Sequence, residues 1–248
     1  MPGTRFTAVL VHGGWHGAWC WERVVDRLSA SGVPSVAMDL PGHGADAGAL
    51  GDLHGDAARV RDVLDTLDGA CVLVGHSYGG AVITEAGDHR AVQHLLYVSA
   101  MALDETETCA GAAAAGAAAA KASPEDVPDL AAGFISDGRG SVALNPSVAA
   151  ECLYADCDPA TVKWALARLG PQPVASLRQT PSTAAWRSKP STYVVCTRDL
   201  VVPPGLQRVF AQRCTMSTEW DCGHSPFLSQ PDRVADLIRH LALAAATE

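Results

Sequence analysis

Gly75-His76-Ser77-Tyr78-Gly79-Gly80 follows the apolar run Val72-Leu73-Val74 and precedes a helical run. A serine placed there stands on a sharp strand-to-helix turn, with its hydroxyl clear of the backbone as a nucleophile. Glycines two positions before and after it let backbone and helix approach without a Cβ clash. In a chain with 23 glycines the bare pattern is weak; its strand and helix context makes it strong. Such a serine needs a base that takes and returns a proton near neutral pH, which selects histidine. His224 stands in Asp221-Cys222-Gly223-His224-Ser225-Pro226, a loop after the last strand-like run and ahead of the final helix. His76 adjoins the serine in sequence, where successive side chains diverge, and is expected to pack or hydrogen-bond locally. His12 and His16 flank a glycine loop and read as scaffold or pocket wall. His43, His54, His89, His94 and His240 carry no motif and read as solvated or structural.

The histidine in turn needs an acid to hold its tautomer and stabilise the imidazolium. Asp199 ends Tyr193-Val194-Val195-Cys196-Thr197-Arg198 and is favoured over Asp104, after the fourth strand, and Asp221, three residues before His224. Acyl transfer also needs N–H donors for a developing oxyanion. The loop His12-Gly13-Gly14-Trp15 follows the first strand-like run, so the N–H groups of Gly14 and Tyr78 are the candidates. Trp15, His16, Leu200 and Trp164 are the residues expected to line an apolar pocket, each being equally suited to plain core.

These residues must be carried by elements that bring their ends together. Phe6 to Val11, Pro34 to Leu40, Cys71 to Val74 and Gln93 to Ser99 read as strands. Trp21 to Ala30, Asp52 to Leu67 and a run from Ala81 onward alternate with them as helices. In the second helix Val60, Val63, Leu64 and Leu67 recur at helical intervals. The rhythm resumes with a strand at Thr192 to Cys196, a helix at Pro203 to Gln212, a short strand at Thr218 to Trp220 and a closing helix at Asp232 to Leu243. Near-continuous apolar strands separated by helices specify a parallel sheet covered on both faces. The expected fold class is therefore α/β, with a mostly parallel sheet of about six strands flanked by helices. Between the fourth and fifth strands lies a segment with an Ala/Gly tract from Ala110 to Ala120, prolines at 124, 128, 146, 159, 171, 173 and 181, and helical pieces such as Thr161 to Leu169. It is too long for a bare loop. The expected division is a core of residues 1–103 and 188–248 and a helical cap insertion at 104–187, lying over the sheet edge where such sheets bind ligands.

The 18 basic and 27 acidic side chains give a net charge of −9. That sign repels phosphate backbones and anionic lipid, so neither nucleic acid nor membrane is an expected partner. Met1 to Arg5 shows no secretory leader pattern, and no run reaches the roughly 20 apolar residues of a bilayer span. The eight cysteines are scattered, without zinc-site spacing, and read as reduced thiols of a cytoplasmic protein. No metal or organic cofactor is expected, the partner is a small-molecule substrate, and nothing in the chain specifies an oligomeric state.

The motifs Val11-His12-Gly13-Gly14-Trp15-His16-Gly17-Ala18-Trp19-Cys20-Trp21, Asp39-Leu40-Pro41-Gly42-His43-Gly44 and the Ser77 turn resemble the α/β-hydrolase branch that holds plant methylesterases, hydroxynitrile lyases and related bacterial esterases. Cys196-Thr197-Arg198-Asp199 and Gly223-His224-Ser225-Pro226-Phe227-Leu228-Ser229 extend the likeness to the C-terminal third, and the order Ser77, Asp199, His224 is the order of that fold. The resemblance covers the chain outside the cap. It implies an α/β-hydrolase fold with a Ser77–His224–Asp199 triad. The lyases of the branch carry threonine at the position of Gly13 and lysine at that of Ser225, the lysine placing positive charge beside a leaving cyanide. A neutral serine cannot do that, so the resemblance points to the esterase side. The expected chemistry is cleavage of a small ester through an acyl-enzyme. Two rivals use the same residues differently: lyase, C–C cleavage or cyclisation chemistry in secondary metabolism, and a catalytically silent small-molecule receptor.

Overall fold

The computed structural model describes residues 6–120 and 129–245. The leader reading of residues 1–5, and Lys121, Pro124 and Pro128 of the intervening segment, lie outside them. In chain order the elements are β1 (Phe6–Val11), α1 (Glu22–Ala30), β2 (Ser35–Met38), α2 (Leu53–Asp65), β3 (Ala70–His76), α3 (Tyr78–Ala86) and β4 (Val92–Val98). Then come α4 (Cys109–Ala120), β5 (Phe134–Ser136), β6 (Ser141–Leu144), α5 (Pro146–Leu153), α6 (Pro159–Leu166), β7 (Gln172–Pro173) and α7 (Val174–Arg178). The chain closes with β8 (Ser191–Cys196), α8 (Pro204–Ala211), β9 (Met216–Trp220), α9 (Pro226–Ser229) and α10 (Pro231–Ala245).

Six strands form one sheet in the order β2-β1-β3-β4-β8-β9, and every pair in it is parallel. The strands are apolar at successive positions because both faces are covered. Val9, Val11, Leu73, Leu95, Tyr97, Tyr193 and Val195 point to one face, where α2, α3 and α8 supply Leu53, Val60, Leu64, Val82, Ile83 and Phe210. The residues between them, Leu10, Val72, Val74, Leu96, Val98 and Val194, point to the other, against Val24 and Leu28 of α1 and Val234, Ile238 and Leu241 of α10. Period-two alternation within an unbroken apolar run thus serves two cores at once. From β1 the chain steps one way to β2 and the other way to β3. The crevice at that reversal, at the carboxyl ends of β1 and β3, is where open α/β sheets bind ligands.

The segment between β4 and β8 contains helices, as expected, and also a three-stranded antiparallel sheet, β5-β6-β7, that the sequence reading did not anticipate. Its strands are three, four and two residues long, too short for a period to register. The helices of this segment have local start signals: Asn145 and Asp158 each cap a helix whose first residue is proline. No helix of the described residues is long and apolar enough to cross a membrane.

Candidate active site

The site begins with a conflict between β3 and α3 that only one residue absorbs. β3 must run straight into α3, and Ser77 makes the corner with φ 51° and ψ −121°. A non-glycine residue in that region costs on the order of 1–3 kcal/mol. Three backbone hydrogen bonds hold it there: its N–H donates to Val98 O at 3.3 Å, and its carbonyl accepts from Gly80 and Met101 at 2.9 and 3.0 Å. At about 0.5–1.5 kcal/mol net each, they offset the strain. The flanking glycines are there for space. A Cβ on Gly75 would lie 2.6 Å from Gly79 O, and one on Gly79 would lie 2.5 Å from His12 O. α3 starts at Tyr78, earlier than the helix-poor Gly79-Gly80 pair suggests, because this close approach fixes its first turn.

His224 follows β9 and Asp199 follows β8, so both arrive at the carboxyl edge that also carries Ser77. His224 Nδ1 lies 2.8 Å from Asp199 Oδ2, and both side chains are buried. The carboxylate is fully committed. Oδ1 accepts from the N–H groups of Val201 and Val202 at 2.7 and 3.0 Å; Oδ2 accepts from Gln207 Nε2 at 2.9 Å and from the Ser99 hydroxyl. With a carboxylate facing Nδ1, the ring proton belongs on Nδ1 and the lone pair on Nε2. Neither Nε2 nor the Ser77 hydroxyl has a hydrogen-bond partner among the described residues; between a nucleophile and its base that contact is often long without substrate and tightens when substrate binds. The His224 loop is fixed from two sides: His76 Nε2 donates to His224 O at 2.9 Å, and Gly223 N–H donates to Asp156 Oδ2 at 2.7 Å. His76 is completely buried, which holds its ring neutral.

The other acids expected as rivals lie elsewhere. Asp104 pairs with Arg187 at 2.6 Å and Asp221 with Arg198 at 2.7 Å.

The loop after β1 and the start of α3 each present one unused donor. Tyr78 is the first residue of α3, whose N–H has no intrahelical acceptor. Neither it nor Gly14 N–H has an acceptor among the described residues. The Gly13–Gly14 peptide is oriented through its carbonyl. Leu40 N–H donates to His12 Nε2 at 3.1 Å, so the His12 proton sits on Nδ1, which donates to Gly13 O at 2.8 Å. His16 Nδ1 donates in the same way to Gly14 O at 2.8 Å while its Nε2 accepts from Tyr154 Oη at 2.8 Å. Burial pushes His12 down to about 3 and His16 down to about 4, so both stay neutral and keep these tautomers through the working pH range.

The four residues expected at a pocket wall separate. Leu200 borders a cavity of about 1010 Å³ between α4 and α8, shared with Asp199, Thr108, Ala112 and Phe210 but not with Ser77 or His224. Trp15 is buried with φ 64°, and its Nε1 donates to Val142 O at 2.9 Å. His16 is buried behind the loop, with both ring nitrogens engaged. Trp164 stands edge-on to Trp19 at 5.2 Å, under the Arg168 guanidinium.

Sequence reasoning missed Ser99, Gln207, Asp156, Asp56 and Gln172. Ser99 had a usable signal: it directly follows β4 at the edge where site residues gather, and its φ of 49° is a second strained corner beside the first. His43, read as solvated or structural, is buried and lies 3.1 Å from Gln172 Oε1.

Asp56 sits beneath the serine turn. Tyr78 Oη donates to its Oδ2 at 2.6 Å, and Oδ1 is buried without a partner among the described residues. Burial raises the carboxyl to about 7. Because the folded value exceeds the unfolded one, the group contributes its full stability below about pH 4 and loses it as pH rises towards 7. Asp56→Asn removes that dependence. The melting temperature of the variant relative to wild type is expected to climb between pH 5 and pH 8, by the equivalent of a few kcal/mol. A difference that stays flat with pH contradicts this.

A family model described as the alpha/beta hydrolase family matches residues 8–237. The carbendazim hydrolyzing esterase of Nocardioides is 27% identical over 249 residues, covering 94% of this chain and 98% of its own. Methylesterase 9 of Arabidopsis thaliana is 41% identical over 85 residues, 32% of this chain and 33% of its own. Among solved structures, a pyrethroid hydrolase from Sphingobium faniae superposes with a TM-score of 0.80 at 23% identity, covering 98% of this chain and 99% of that one.

Proposed function

This chain belongs to the alpha/beta hydrolase family, and from that premise we propose that it cleaves a small carboxylic ester through an acyl-enzyme on Ser77. The observation that carries the reading is the His224–Asp199 pair, buried and 2.8 Å apart, on the edge that presents the strained Ser77. His224 Nε2 takes the Ser77 proton as Oγ attacks the carbonyl carbon. The oxyanion receives the N–H groups of Gly14 and Tyr78. The imidazolium, steadied by Asp199, returns the proton to the leaving alkoxide, and the alcohol departs. Water, deprotonated by the same nitrogen, then attacks the acyl-enzyme and frees the acid and the serine.

Residues 104–187 serve in this reading as a cap over that edge. The names of the relatives support ester substrates: one is a carbendazim hydrolyzing esterase and another a methylesterase. Gly13 and Ser225 favour hydrolysis over the lyase alternative. A side chain at 13 would meet His76 Nδ1 at 2.7 Å and Ser77 Cβ at 2.8 Å, so this loop has no room for threonine. Eight free thiols fit a reducing, cytoplasmic setting, and the charge of −9 fits a partner that is neither nucleic acid nor membrane.

The test is a panel of methyl, alkyl, aryl and lactone esters, with acid and alcohol both quantified. Equimolar acid and alcohol from at least one member, above the rate in buffer, is the expected result. Binding by calorimetry with no product from any member contradicts the proposal and revives the silent receptor.

A further inference from the structure

The peptide joining Gly14 to Trp15 is gripped from both sides. Its carbonyl, on Gly14, accepts from His16 Nδ1 at 2.8 Å; its N–H, on Trp15, donates to Gln172 Oε1 at 3.1 Å. Trp15 keeps φ 64°, a conformation that a bulky side chain holds only where its surroundings enforce it. Two more ties do so: Trp15 Nε1 donates to Val142 O at 2.9 Å, and Trp15 O accepts from Gly170 N–H at 2.8 Å. Three of these four partners belong to the segment between β4 and β8, far from the loop in sequence and not part of the hydrolase sheet.

Gln172 is the one among them that acts by side chain. It is completely buried, and its Oε1 and Cδ lie 3.3 and 3.6 Å from the place a Cβ on Gly14 would occupy. Its amide has one workable orientation. Trp15 N–H can only donate, so Oε1 must face it. Nε2 donates to Ser176 Oγ at 2.8 Å, and that hydroxyl spends its own proton on Pro173 O at 2.7 Å. Turning the amide over loses both contacts.

We propose that Gln172 is a positioning residue for the oxyanion loop: by accepting the Trp15 N–H it holds the strained Trp15 and so aims the adjoining Gly14 N–H into the site. This rests on the reading of Gly14 as an oxyanion donor. Without the acceptor, a buried N–H is orphaned and Trp15 relaxes by turning the Gly14–Trp15 peptide. That turn shifts the Gly14 Cα, and the Gly14 N–H, on the neighbouring peptide, loses its aim at the oxyanion. Because that contact strengthens only as charge develops, the loss falls on kcat rather than on substrate binding.

The experiment measures hydrolysis of p-nitrophenyl acetate and inhibition by an aryl trifluoromethyl ketone, whose serine adduct carries an oxyanion. Active sites are counted by fluorophosphonate titration. Gln172→Leu is expected to lower kcat by about 10–100-fold, with KM within about twofold, and to weaken the ketone by a matching factor. Gln172→Glu keeps an acceptor in place and is expected to recover most of both. Ser176→Ala leaves Gln172 present but frees its amide to turn, and is expected to lose several-fold in both readouts, so the proposal stays testable if the leucine variant does not fold. Parental kcat in Gln172→Leu, or a fall in kcat with undiminished ketone affinity, overturns it, as does a parental Ser176→Ala where only that variant folds. Ketone affinity retained in Ser77→Ala defeats the underlying acyl-enzyme reading, and this proposal with it. Affinity that requires Ser77 but ignores Gln172 defeats the positioning role alone.

Discussion

Ser77→Ala is expected to lower kcat/KM for short p-nitrophenyl esters by roughly 10⁴-fold or more, with the melting temperature at or above that of wild type. The rate falls because no other hydroxyl stands on the turn between β3 and α3, and the remaining donors act only on a tetrahedral species that no longer forms on the protein. Stability does not fall with it. The removed Oγ has no hydrogen-bond partner among the described residues, and Ser77 is only partly buried, so its loss opens no cavity. The backbone bonds to Val98, Gly80 and Met101 that hold the corner remain. Equal rates in wild type and variant remove the nucleophile assignment.

Asp199→Asn is the second large effect, expected at about 10³–10⁴-fold in kcat with little change in KM. Asp199 Oδ2 receives His224 Nδ1, Gln207 Nε2 and the Ser99 hydroxyl together. Oδ1 already takes two backbone N–H groups, so an asparagine keeps its oxygen there and turns its NH₂ towards the histidine. Nδ1 must then accept, the ring proton moves to Nε2, and the base meets the serine with the wrong tautomer. Gln207 Nε2 also loses an acceptor, although Cys196 O and Val202 O still receive it. Asp221→Asn is the matched control. Its carboxylate is paired with Arg198 on the surface, so its rate is expected within about twofold of wild type. A tenfold or smaller loss in Asp199→Asn, or a larger loss in Asp221→Asn, contradicts the assignment.

What the chain disclosed in advance follows a physical line. Elements were readable wherever one residue pattern carried them. The strands are apolar throughout because both faces are covered, and α2 repeats Val60, Val63 and Leu64 along one side. Ser77, His224 and Asp199 were legible as candidates because each stands in a distinctive motif just past a strand's carboxyl end. Residues that act by reaching across the fold were not. Gln172 meets Trp15 over 157 positions, and Asp156 meets Gly223 over 67. Nothing local distinguishes either from a surface residue. The small sheet β5-β6-β7 escaped notice for a related reason: its strands exist only because they pair with one another, not because of any internal period. Ser99 lies between these cases, since its place after β4 was visible while its contact with Asp199 was not.

The claim on which the rest depends is that Ser77 becomes covalently acylated during turnover. Rapid quenching of the protein with p-nitrophenyl acetate, followed by intact mass and peptide mapping, reads this directly. The account predicts one acetyl group per molecule, carried on the peptide containing Ser77, appearing with the burst of nitrophenol and absent from Ser77→Ala. Sustained turnover by wild type with no acylated species, or an acetyl group mapped to another residue while Ser77→Ala remains active, contradicts it.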